Sequence, residues 1–120
     1  MLDINGSVIS LTRGDSAYIT LQINTGGANA YRLESTDVIQ CQVRPGVNTE
    51  ELLFEGIWGE TLELQLDGRS VIWHIKPEDT KDADPNTEYY WDAQLVVGAS
   101  GDVFTFIPAS RFKILDEVTL

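Results

Sequence analysis

Glu88-Tyr89-Tyr90-Trp91-Asp92-Ala93-Gln94-Leu95-Val96-Val97 is the longest alternating run in the chain. Tyr89, Trp91, Ala93, Leu95 and Val97 fall on one side; Tyr90, Asp92, Gln94 and Val96 fall on the other. A period of two sends successive side chains to opposite faces, so the run predicts a strand with one buried and one wet face. The pattern recurs on both sides of it. Val71, Trp73 and Ile75 share a face against Ile72 and His74, and Leu62, Leu64 and Leu66 alternate with Glu63 and Gln65. Between these two segments, Asp67-Gly68 is a hairpin signal. Ile39, Cys41 and Val43 oppose Gln40 and Gln42 until Arg44-Pro45-Gly46 closes the strand, because proline lacks the ladder donor. Ile19, Leu21 and Ile23 oppose Thr20 and Gln22 ahead of the turn Asn24-Thr25-Gly26-Gly27. Toward the C-terminus, Ser100-Gly101-Asp102 turns into a strand over 103–107. A separate last strand covers 111–115, with Phe112 and Ile114 inward. A first strand near 7–11 brings the total to seven or eight, and Pro77 starts one short helical turn over 77–82. The expectation is an all-β protein: an antiparallel two-sheet immunoglobulin-like β-sandwich, with residues 1–120 as a single domain.

Composition narrows the function. A chain of 120 residues supports one core. Eight Lys and Arg against nineteen Asp and Glu give a net charge of −11. That is the wrong sign for gripping nucleic-acid phosphates or an anionic membrane. The 42% hydrophobic content, with three Trp, four Tyr and four Phe, is too rich for a disordered acidic tail. Cys41 is the one cysteine and His74 the one histidine, which exclude an internal disulfide and a multi-histidine metal cage. The opening Met1-Leu2-Asp3-Ile4-Asn5-Gly6 has no basic apolar leader, and no window reaches the length of a membrane span. Synthesis in the cytoplasm is expected, with neither a membrane nor a nucleic acid as partner.

Chemistry-bearing motifs are scarce. His74 lies mid-strand, with no nucleophile elbow or glycine-rich oxyanion loop near it. No P-loop, dinucleotide fingerprint or zinc spacing occurs, so no enzyme and no cofactor is expected. Asp79, Asp82 and Asp84, with Glu78 and Asn86 close by, are the candidates for calcium, which takes hard oxygen ligands. The glycine and the closing glutamate of an EF-hand are missing there, and a solvated turn is the stronger reading, so no metal is expected. Arg13-Gly14-Asp15 spells a tripeptide that integrins recognise, but Gly between charged residues is also what a tight strand connection requires. It is read as a turn. Tyr90, Trp58 and Phe104 are the candidate outward aromatics, suited to a sugar-binding face. Met1, Leu2, Ile4, Val118 and Leu120, at moderately apolar ends without a clear strand partner, are the interface candidates.

The order of these features resembles small phage virion proteins, especially the N-terminal domains of baseplate upper proteins and related tail or fibre proteins in phages of Gram-positive bacteria. The likeness runs through Leu11-Thr12-Arg13-Gly14-Asp15-Ser16-Ala17, then Ser35-Thr36-Asp37-Val38-Ile39, then Ile75-Lys76-Pro77-Glu78-Asp79-Thr80. It continues in Tyr89-Tyr90-Trp91-Asp92-Ala93-Gln94-Leu95, in Gly101-Asp102-Val103-Phe104-Thr105-Phe106-Ile107, and in Phe112-Lys113-Ile114 with Val118-Thr119 just after. The resemblance implies a non-enzymatic attachment module of a virion, made in a host bacterium and partnered by other virion proteins. It carries over no catalytic residue. In that family the domain anchors a longer protein, whereas this sequence stops at Leu120, which favours a stand-alone adaptor, neck, tail or capsid-decorating piece. Homo-oligomerisation is expected, since virion parts are symmetric. The competing expectation is a carbohydrate-binding or adhesive β-sandwich.

Overall fold

The computed structural model describes residues 2–23 and 31–117. Strands form where the alternation is clearest: β3 (Ala17–Gln22), β4 (Val38–Arg44), β7 (Ser70–Ile75) and β8 (Tyr89–Val96). Around them lie β1 (Leu2–Asn5), β2 (Val8–Thr12), β5 (Phe54–Gly56), β6 (Leu62–Leu64) and β9 (Val103–Leu115). A single turn of helix, α1 (Pro77–Thr80), starts at the proline, whose fixed φ suits a first helical position. The Asn24–Gly27 turn signal lies outside the described residues.

The strands make two sheets. One has the order β1-β2-β9-β8-β4-β5, and the other β3-β7-β6. Their inner faces meet in one core, where Trp73 of β7 lies 5.6 Å from Trp91 of β8, ring centre to ring centre. Phe54 and Phe112 pack edge to face at 5.7 Å in the same cluster. Gly56 lets the chain pass close to this cluster, since a Cβ there would lie 2.9 Å from Leu62. The predicted inner faces of β3, β4, β7 and β8 are the buried ones, as are Phe112 and Ile114.

Four expectations are corrected. The larger sheet is mixed, because β2 runs parallel to β9 through Ile9↔Phe112 and Leu11↔Ile114. Residues 103–107 and 111–115 belong to one strand, which passes Pro108 with register shifts against β8. Proline is tolerated there because no described strand flanks that side of β9 at this level. Leu64 and Leu66 do not join Leu62 in the core. β6 pairs with β7 over three residues only, so Leu62 is fully buried while Leu66 stands free in solvent. Finally, Leu2 and Ile4 do have a strand partner: β1 folds back on β2 in a hairpin turned by Gly6, whose φ is +64°. Met1, Val118 and Leu120 lie outside the described residues.

Candidate interaction surfaces

The loops are held by carboxylates spent on backbone. Asp37 is 2% exposed and accepts from Tyr31 OH at 2.8 Å, from Glu34 N–H at 2.9 Å and from Gly98 N–H at 3.2 Å. Burial acts to raise its pKa, but these three donations outweigh burial and hold the carboxyl below the usual range. A Cβ at Gly98 would sit 2.2 Å from the Thr36 carbonyl, so glycine is required where the two loops touch. Asp67 organises the predicted hairpin turn, accepting from the N–H groups of Arg69 and Ser70 and from Ser70 Oγ. Nothing in the sequence distinguishes Asp37 from the other acids; only the distant Gly98 completes its role.

Two of the three calcium candidates are spent in the same way. Asp79 accepts from Lys76 N–H at 2.8 Å. Asp84 accepts from Asn86 N–H and Thr87 Oγ1, which folds the loop before β8. Asp82 is exposed. Among the described residues, no three His, Cys, Asp or Glu side chains gather where they could hold one ion.

Arg13-Gly14-Asp15 is a turn, with Gly14 at φ +83° and Asp15 N–H donating to the Thr12 carbonyl. The guanidinium of Arg13 is engaged within the fold. It grips Glu117 at 3.1 and 2.9 Å, Asp116 at 3.0 Å and the Ala83 carbonyl at 3.2 Å. Hydrogen bonding from Arg13 lowers the pKa of Glu117 in turn. Gly14 N–H donates to the buried Thr80 hydroxyl. The tripeptide thus ties β2 to α1 and to the chain after β9. Cys41 is buried, and burial pushes its thiol pKa well up, which removes it as a nucleophile.

Of the aromatics expected to point outward, Phe104 is 47% exposed but lies on the inner side of its sheet, since it pairs with core-facing Leu95. Tyr90 is half-buried on the outer face beneath the Arg111 guanidinium, 5.5 Å from its ring centre. Trp58 packs against the core from the β5–β6 connection. Tyr18, opposite the inward set Ile19, Leu21 and Ile23, is 66% exposed. Its ring stacks on His74 of the neighbouring strand at 4.3 Å with only 6° between the planes. The pairing Tyr18↔His74 across β3 and β7 is not visible in either strand alone.

Several concavities border the larger sheet. On its outer face, Gln42, Arg44, Tyr90, Asp92 and Ala109 line a shallow pocket of about 140 Å³. Arg44 is occupied there, donating to the carbonyls of Thr49, Glu50 and Glu51 and to Gln42 Oε1. Partial burial raises the pKa of Asp92, with Arg44 opposing. Another concavity, of about 270 Å³, opens between β3 and β9 and is lined by Ile4, Ile9, Ile19, Leu21, Trp91 and Ile107 among others. Beside it, β9 from Val103 to Pro108 has β8 on one side and no described strand on the other. Val103 is 55% exposed, so this open edge is apolar.

No protein-family model matches the sequence, and no curated protein matches it as a relative.

Proposed function

We propose that the protein is a non-enzymatic structural module of a phage or prophage virion, attached through protein–protein contacts in the baseplate, tail, neck or capsid. The observation that carries this reading is the apolar, unpaired stretch of β9, with exposed Ile4 on the edge strand β1 near it. Open strand edges invite pairing with another chain, and monomeric proteins normally blunt them. The ordered likeness to phage attachment domains supports the same reading.

An immunoglobulin-like description of the sandwich belongs to this proposal. Its support is topological: β9-β8-β4-β5 and β3-β7-β6 follow the strand partition of a variable-type domain. Tyr89 adds to it. At the start of β8, its hydroxyl accepts from Asp84 N–H at 2.9 Å, like the tyrosine corner of those domains, and Trp91 stands two residues on, where they carry a cysteine.

Quantitative mass spectrometry of density-purified phage particles from the source strain tests the virion role. Presence at a fixed copy number is the expected result; absence from intact particles while the lysate is rich in the protein overturns it. The Tyr18–His74 stack favours a second reading, a carbohydrate-binding module, because a flat exposed aromatic suits a sugar ring. Glycan-array binding that is lost in Tyr18→Ala would establish that reading instead.

A further inference from the structure

The unpaired stretch of β9 has the properties of half of a sheet that continues into another molecule. Val103-Phe104-Thr105-Phe106-Ile107 carries no charge, and β-branched and aromatic residues are those that strands favour. Its backbone groups on the side away from β8 have no described strand partner. An occupant must therefore be an extended chain that supplies N–H and C=O groups in register.

Two features specify that chain. The first is charge. Asp102 precedes the uncharged stretch and Arg111 follows it, on the far side of Pro108, Ala109 and Ser110. In an antiparallel copy centred on Thr105, Asp102 of each chain falls opposite Pro108 of the other, so no like charges meet along the pair. The second is shape. Phe104 pairs with Leu95, whose side chain is in the core, so Phe104 lies on the inner side of the sheet yet is 47% exposed. A two-fold axis normal to the sheet keeps inner faces on the same side. It carries Phe104 of each copy toward the other's apolar cavity beside Ile107 and Trp91. That cavity, at about 270 Å³, exceeds the roughly 150 Å³ that accepts benzene in an engineered core.

We infer that the protein forms a two-fold symmetric dimer in which residues 103–107 of two copies pair antiparallel, each inserting Phe104 into the β3–β9 cavity of the other. Such a contact is isologous and closes on itself, leaving the outer faces of both sheets free for other partners. The inference draws on the same open edge as the virion reading, and sedimentation of the free chain tests it separately from particle composition.

Sedimentation equilibrium of the full chain, with circular dichroism to check folding, is the test. A concentration-dependent dimer is expected, with backbone amides of 103–107 exchanging more slowly as it forms. Phe104→Lys, at a position exposed enough to spare the fold, is expected to weaken it by about thirtyfold or more. Leu66→Lys, at a fully exposed site in the β6–β7 turn, is expected to leave it unchanged. A monomer at every concentration overturns the inference, as does a dimer indifferent to Phe104→Lys.

Discussion

The two halves of β9 are both rich in apolar residues, yet they end in opposite environments. The C-terminal half meets β8 up to Phe112 and β2 from Phe112 to Leu115; Phe112 is fully buried and Ile114 is 4% exposed. The N-terminal half, with Val103 and Phe104, has β8 alone and faces solvent. The contrast teaches that apolar content makes a strand, whereas burial depends on what lies beside and across from it. Burial of apolar area is what stabilises, so the two halves should respond very differently to the same truncation.

The largest effect is expected at Phe112. Phe112→Ala should cost about 3–5 kcal/mol in urea unfolding, since its ring contacts Phe54 and Trp73 in a packed core. Phe104→Ala, measured on the monomer, should cost less than about 1 kcal/mol by the area it loses. Equal losses at the two sites would refute the contrast.

Carboxylates divide in the same manner. Asp37→Ala should cost about 1–3 kcal/mol, because it removes three partly buried, charge-assisted hydrogen bonds from Tyr31, Glu34 and Gly98. The pKa of Asp37 is lowered in the folded state, so its contribution is present above the ordinary carboxylate pKa of about 4 and is lost as pH falls through the folded value. Wild type and Asp37→Ala should therefore converge in thermal stability as the solution is acidified.

Asp92 shifts the other way, and its effect should be the smallest. Partial burial raises its folded pKa, so its folded-state penalty is present at neutral pH and vanishes below the ordinary carboxylate range. Asp92→Asn should raise Tm slightly at pH 7 and leave it unchanged in acid. A loss of Tm at neutral pH would mean that the attraction of Arg44 outweighs desolvation.

Much of this fold is legible in the order of its residues. The inward sets of β3, β4, β7 and β8 follow from alternation, and Asp67-Gly68 and Arg13-Gly14-Asp15 turn where glycine next to a charged residue suggests. β5 is not legible, because three residues are too few to show a period. Pro108 reads as a break between strands, since a single sequence does not say whether proline interrupts a strand or marks its open side. The candidate surface is legible in part: Phe104 stands out as an exposed aromatic, but its pairing with core-facing Leu95 sets it on the inner side of the sheet, and the cavity beside it draws its lining from β1, β2, β3, β8 and β9.

By itself the sequence determined the local terms: which side chains share a strand face, where the backbone can turn, and a net charge of −11 in a chain without catalytic motifs. Tertiary structure alone decided that β2 runs parallel to β9, that Leu66 is exposed while Leu62 is buried, and that Arg13 grips Glu117 from 104 positions away. The physical reason is range. Alternation and turn preference are properties of neighbouring residues, whereas pairing, coverage and charge capture are set by contacts between segments that meet only when the whole chain has folded.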